Sequence, residues 1–202
     1  MKIGPKFKIA KRLGAPIFEK TQTQKFALSQ ARQGRTAKRK PGQASDYKRQ
    51  LIEKQKMRFT YGITEKQLRR YVDEALASSE QPILVLVSRL EQRLDNVVYR
   101  LGIAKTRRFA RQMVSHGHIT VNGKKMTIPS YKVVINDVVA VREGSKQTNM
   151  FLNFAEVFAN ATVPTWLTMD AKKIEGKTLS VPVYIPAETL FDPEQVFEFY
   201  SR

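Results

Sequence analysis

The sequence contains no cysteine, one tryptophan, two histidines and no apolar run longer than the five residues Ile83 to Val87. Without cysteine there can be no disulfide framework, no thiolate nucleophile and no Cys-ligated zinc or iron-sulfur site. Five apolar residues fall far short of the roughly 20 that cross a bilayer, and the basic start of the chain lacks the apolar stretch of a signal peptide. A soluble, intracellular chain is therefore expected. His116 and His118 have no further histidine or carboxylate at metal-ligand spacing, and no Gly-rich phosphate loop is present. Acidic residues are scarce: 18 Asp and Glu stand against 36 Lys and Arg, a formal net charge of +18 over 202 residues. With 42% hydrophobic residues the chain can still bury a core, so this charge is carried by one large or two modest domains.

The charge is unevenly spread. Residues 1–60 hold 17 basic and 3 acidic side chains, residues 61–150 hold 15 and 8, and residues 151–202 hold 4 and 7. Such a gradient suits a polyanion at one end and not at the other, and nucleic acid is the leading reading. An anionic membrane would need a long interfacial helix, and Gly4-Pro5, Gly14, Pro16, Gly34 and Pro41-Gly42 interrupt the first forty residues.

Residues 1 to about 45 read as basic and irregular with one or two short helices. Ser45 or Asp46 caps a helix to Tyr61, Thr64 with Gln67 forms a capping box for the next, and Ser78 to Pro82 is the best boundary. From Leu90, the residues Leu94, Val97, Val98 and Leu101 recur at helical spacing and Gly102 ends the run. A short helix follows from Thr106, with Phe109, Ala110, Met113 and Val114 on one arc and Gly117 as its stop. Ile119 to Val121, Asn122-Gly123 and Lys124 to Ile128 predict a type I′ hairpin. Val133 to Ile135, Val138 to Val141 and Leu179 to Ile185 are further strand candidates. The expected fold is α+β: a mainly helical N-terminal domain (1–88), a module of two short helices and a small antiparallel sheet (89–153), and a short-stranded C-terminal segment (154–202) that completes the second domain and docks on the first.

The arginines point to function. Arg89, Arg93, Asn96 and Arg100 share one arc of the first module helix, and Arg107, Arg108, Arg111, Gln112 and Ser115 the polar arc of the second. From Arg100 to Asn136 there are eight basic residues and no acidic one. Rows of guanidinium groups beside buried apolar faces suit phosphates, which they bind bidentately. Replacing Arg107 and Arg111 by Ala is accordingly expected to cost nucleic-acid binding without unfolding the chain.

The run RLDNVVYRLG from Arg93 to Gly102, TRRFARQMVSHGHITVNG from Thr106 to Gly123 and IPSYKV from Ile128 to Val133 resemble the RNA-binding module of the S-four family of bacterial-type small-subunit ribosomal proteins. The resemblance extends to YGITEKQLRRYV from Tyr61 to Val72, VPTWL from Val163 to Leu167 and the terminal Phe199-Tyr200-Ser201-Arg202, and so covers nearly the whole chain. It implies a structural constituent of the small ribosomal subunit that binds its 16S-type RNA at a five-helix junction, nucleates assembly and influences decoding accuracy. It also implies contact with ribosomal protein five and other small-subunit proteins, and a place beside the channel through which messenger RNA enters, in the cytoplasm or an organelle. Neither a membrane nor a small-molecule substrate is implied. Many members bind zinc through four N-terminal cysteines, and this chain resembles the zinc-free branch, with no cofactor. Asn136 stands where the family usually has Gly, the next-best residue for a left-handed turn.

The candidate RNA contacts fall into groups. The N-terminal segment offers Lys6, Lys8, Lys11 and Arg12, then Arg35, Lys38, Arg39 and Lys40. The next two helices offer Lys48, Arg49, Lys54, Arg58, Lys66, Arg69 and Arg70. The module offers Arg89, Arg93, Asn96, Arg100, Lys105, Arg107, Arg108, Arg111 and Gln112, and its turns offer His116, His118, Asn122, Lys124 and Lys125. Glu188, Asp192, Glu194 and Glu198 would be repelled by RNA and are expected to face solvent or a basic protein neighbour. Pseudouridine synthases carry the same module with a catalytic Arg-Leu-Asp triplet. Here Arg93-Leu94-Asp95 lies within a helical pattern, without the small and hydroxylated residues expected after it, and Asp95 reads as a helix-surface carboxylate paired with Tyr99 or an Arg. No catalytic or metal residue is assigned. An RNA-modifying enzyme and a non-ribosomal RNA-binding regulator stand as the alternatives.

Overall fold

Short polar side chains and glycines set the helix ends in this chain. The computed structural model describes residues 3–36, 45–148, 151, 154, 158 and 162–201. Thr64 Oγ1 accepts from the Gln67 amide at 3.3 Å while the Gln67 side chain accepts from the Thr64 amide at 3.2 Å, the reciprocal capping box. Ser45 and Thr106 cap by the hydroxyl alone, accepting from the Lys48 and Phe109 amides. Gly62, Gly102 and Gly117 follow helices at φ of 62°, 74° and 77°, the left-handed conformation that glycine adopts most cheaply.

The chain forms two units, Met1–Ile83 with Ile185–Arg202, and Leu84–Tyr184. In the first, α1 (Lys6–Leu13), α2 (Gln24–Thr36), α3 (Asp46–Tyr61) and α4 (Glu65–Leu76) are joined by α9 (Pro193–Tyr200) from the far end of the sequence. Ala10, Leu13, Ala15, Ile17, Phe18 and Phe26 are buried together against Ile9, Ile52 and Phe59. Asp192 caps α9 by accepting from the Glu194 amide. The helix packs on α3 through Tyr47 against Phe199, ring centroids 5.6 Å apart, and just before it Phe191 meets Tyr61 at 6.1 Å.

The second unit runs through most of α5 (Pro82–Glu91), α6 (Leu94–Arg100), α7 (Arg107–Ser115), β1 (Ile119–Val121), β2 (Lys124–Lys125), β3 (Val138–Val141), the single turn α8 (Glu143–Lys146), β4 (Leu167–Asp170) and β5 (Glu175–Thr178). The strands form one antiparallel sheet in the order β2-β1-β3-β5-β4. Leu94, Val97, Val98 and Leu101 of the first module helix and Ala110, Met113 and Val114 of the second bury their apolar arcs with Ile119, Val139, Val141, Trp166 and Leu167. The hairpin turn at Asn122-Gly123 has the two positive φ values that a type I′ turn requires, 50° and 77°. Asn136 likewise sits at φ 71°.

The sheet packs tightly enough to specify a glycine. A Cβ on Gly176 in β5 would lie 2.4 Å from Leu101 Cδ2, and Leu101 is fully buried. Gly176→Ala is expected to lower unfolding free energy by about 1 to 3 kcal/mol through overpacking. A denaturant midpoint equal to the parent's would show that Leu101 can shift.

Four sequence expectations are corrected. The periodicity from Leu90 to Leu101 is broken between α5 and α6, because the backbone at 92–95 pairs with the loop 129–133: Val133 N donates to Gln92 O, Leu94 N to Tyr131 O and Asp95 N to Pro129 O. Those bonds turn Arg93 out of helical geometry and take Val133 away from any hairpin, leaving Val134 and Ile135 exposed. Of Lys124 to Ile128, only Lys124 and Lys125 form strand, with Met126 N still donating to Ile119 O at 3.0 Å. Leu179 to Ile185 forms no strand; β4 and β5 lie before it.

Candidate RNA-binding surface

The basic helices of the second unit are built around three buried acceptors. Glu91, Asp95 and Asn96 are 5%, 3% and 1% exposed. Arg100 bonds Glu91 through Nε and Nη2 at 2.8 and 3.0 Å. Arg111 bonds Asp95 through the same two atoms at 2.8 and 2.6 Å. Arg107 Nε donates to Asn96 Oδ1 at 2.7 Å, and Asn96 Nδ2 donates onward to Glu91 Oε2 at 2.8 Å. Arg93 is itself buried and holds Asp95 by a second fork, 3.1 and 2.8 Å. The Arg107 guanidinium also lies over the Tyr99 ring, 4.4 Å from its centroid, a favourable cation–π arrangement.

This placement reorders the predicted residues. Arg93 and Asn96 face the interior and cannot line a surface, and Asp95 is a buried carboxylate, not a helix-surface one. Arg111 serves Asp95, so the Arg107/Arg111 double variant does not separate binding from stability. The absence of acidic residues from 100 to 136 hid the carboxylates that arrive from upstream. Lys105, Arg108, Gln112, His116, Asn122, Lys124 and Lys125 are exposed, while Arg89, Arg100, Arg107, Arg111 and His118 are half-buried. Asn122 is held by the turn: its side chain bonds Asp137 and the Val138 amide. His118 Nδ1 lies 3.0 Å from Ser145 Oγ. Lys132, exposed beside the Arg93 bridge, and Glu91 are not among the predicted residues, and Tyr99, expected beside Asp95, instead lies under Arg107. From 89 to 132 the sequence holds ten basic side chains and two carboxylates, and the network uses both.

In the first unit Lys8, Arg12, Lys48, Arg49, Lys66, Arg69 and Arg70 are exposed, and Lys6, Lys11 and Arg58 half-buried. Arg49 pairs with Asp46 and Arg70 with Glu74. The side chain of Arg35, and Lys38, Arg39 and Lys40, lie outside the described residues. Lys54 is corrected outright: it is buried, bonds Glu65 at 2.7 Å and sits 4.1 Å from the Phe199 ring centroid. Glu188, Asp192, Glu194 and Glu198 are exposed, with Glu198 accepting from Gln50 at 2.9 Å.

Around Lys54 the acid–base balance is set by α9. Tyr200 donates its hydroxyl to Glu65 at 2.7 Å. Burial raises the Glu65 carboxyl, but the bonds from Lys54 and Tyr200 and the charges of Lys54 and Arg58 outweigh it and hold the group below its ordinary value. Burial, then the bond to Glu65 and its charge, push the Tyr200 phenol far above its ordinary range. The signs follow by linkage. Glu65 contributes stability that is present at neutral pH and fades as pH falls through its lowered folded value. Tyr200 contributes stability that is present at neutral pH and fades as pH rises beyond the ordinary phenol value. In an alkaline absorbance titration, the difference between the parent and Tyr200→Phe is expected to show no phenolate until the protein unfolds. Ionisation of Tyr200 in the folded protein at the ordinary phenol pH would contradict this contact.

Among the described residues no group of three or more His, Asp or Glu is placed to hold a metal ion, and no helix is long and apolar enough to cross a membrane.

Two packed helices on a small antiparallel sheet, with arginines fixed along the helices, define an S4-type domain, and the family description "S4 domain" matches residues 92–139. Residues 1–91 match "Ribosomal protein S4/S9 N-terminal domain". "Small ribosomal subunit protein uS4" of Persephonella marina is 43% identical over 201 residues, 98% of each chain. The protein of that name from Roseiflexus castenholzii is 43% identical over 204 residues, 99% of this chain and 98% of its own. That of a Sulfurihydrogenibium species is 44% identical over 203 residues, 98% of both. The chain belongs to the small ribosomal subunit protein uS4 family.

Proposed function

We propose that this chain is a structural constituent of the small ribosomal subunit and a primary binder of its ribosomal RNA, organising a multi-helix junction, nucleating assembly and influencing translational accuracy. The observation that carries the reading is the set of arginines of α6 and α7 held on buried acceptors, with Lys105, Arg108, Lys124, Lys125 and Lys132 exposed in the same unit. Such a surface suits the backbone and shape of structured RNA. The exposed cations of residues 1–88 extend the RNA contacts, the module 89–153 makes the central ones, and residues 154–202 complete the fold and present Glu188, Asp192, Glu194 and Glu198 to a basic neighbour. That neighbour is ribosomal protein five, and messenger RNA passes nearby. The protein works in the cytoplasm, without catalysis. Affinity-tagged protein is expected to sediment with small ribosomal subunits in low-salt gradients and to bind a transcript of the small-subunit five-helix junction. Recovery only in the free-protein fractions, with no binding to that transcript, would sink the reading.

A further inference from the structure

We infer that Glu91, Asp95 and Asn96 are positioning residues that hold the guanidinium groups of Arg100, Arg111 and Arg107 in fixed orientations for the phosphates of RNA; the inference rests on the RNA-binding reading above. Carboxylates beside a polyanion-binding surface are unfavourable to it, because each cancels a cation. These two carboxylates are nevertheless there, buried, and each is tied to an arginine through two nitrogens.

The geometry accounts for them. Arg100, Glu91, Asn96 and Arg107 form one unbroken thread of hydrogen bonds, and Arg93, Asp95 and Arg111 form another. A two-point fork fixes the plane of a guanidinium as well as its position. Arg100 and Arg111 keep 26% and 27% of their side chains exposed, while their acceptors are almost wholly enclosed. A long side chain ordered in this way does not have to surrender its rotamer freedom when RNA arrives. The acceptors thus trade some attraction for order.

That trade gives a test by sign. If the carboxylates only dilute the positive field, removing one tightens RNA binding; if they position arginines, removing one weakens it. Affinity of the full chain for a transcript of the small-subunit five-helix junction would be measured across a salt series, with a thermal melt for each variant. Glu91→Gln loses the charge and one half of the fork to Arg100. Arg107→Lys keeps the charge and loses the Nε bond to Asn96. Glu143→Gln, whose side chain is 86% exposed and paired only within its own turn, reports what loss of a carboxylate outside the network does.

Glu91→Gln is expected to bind roughly tenfold more weakly, the worth of one charge-assisted hydrogen bond, and to lower the salt slope by about one phosphate contact. Arg107→Lys is expected to weaken binding several-fold while remaining folded at the assay temperature, and Glu143→Gln to bind equally or slightly more tightly. Glu91→Gln binding as well as Glu143→Gln, or better, overturns the inference. Should Glu91→Gln melt below the assay temperature, Arg107→Lys decides alone, and parent-like binding by it overturns the inference. Failure of the parent chain itself to bind the transcript overturns the RNA reading instead.

Discussion

Asp95→Ala is expected to destabilise the protein by about 3 to 5 kcal/mol, because it takes away the buried carboxylate that both Arg93 and Arg111 hold. Arg93 and Asp95 are each 3% exposed, so neither group can be rescued by water without opening the fold. The loss should be seen as a melting temperature lower by on the order of 10 °C. A pair variant, Arg93→Met with Asp95→Leu, removes both charges and is expected to recover much of it, since an apolar pair of similar volume replaces a buried ion pair at little cost. An Asp95→Ala protein that melts with the parent would mean that the guanidinium finds other acceptors. Restoration by the pair variant would separate the charge from the space that it fills.

Affinity for the ribosomal RNA junction is expected to fall about a thousandfold or more between 50 and 200 mM salt, as for a protein neutralising roughly six to ten phosphates. The exposed cations suffice for that count. Lys105, Arg108, Lys124, Lys125 and Lys132 lie in the second unit, and Lys8, Arg12, Lys48, Lys66 and Arg69 in the first. Each phosphate neutralised releases counterions, and added salt opposes their release. A nearly flat titration would exclude phosphate contacts as the main source of affinity.

Local chemistry made much of this legible in the sequence. The hydroxyl caps at Ser45, Thr64 and Thr106, the left-handed glycines and the Asn122-Gly123 turn act within a few residues, so their signatures are contiguous. The apolar arcs of α6 and α7 were likewise readable because helical periodicity is local. What failed depended on distant partners. The break at 92–93 exists because a loop nearly forty residues away supplies its hydrogen bonds, and Lys54 is buried because α9 arrives from the far end of the chain to cover it. Arc geometry placed Arg93 and Asn96 outside for the same reason: it assumes that every polar arc faces water.

The β4–β5 hairpin was hidden differently. Its turn, Ala171 to Ile174, contains none of the residues that announce turns. Asp170 Oδ1 accepts from the Lys172 and Lys173 amides, and Ile174 takes a φ of 52°, costly for a β-branched side chain but offset by its burial in the core. The apolar run after it, Leu179 to Ile185, forms no strand, and Pro182 within it and Pro186 just beyond lack the amide that a ladder needs.

The first unit is assembled from two stretches separated by the whole of the second. On a ribosome that makes this chain from its N-terminus, Leu84–Tyr184 has all its residues in hand while Tyr47, Lys54 and Glu65 still lack Phe199 and Tyr200. Until α9 emerges, the cation and carboxylate beneath it are exposed to water, in a nascent chain whose first sixty residues carry 17 basic side chains. The earliest-made part of the protein thus waits for the last-made helix to cover Lys54 and Glu65.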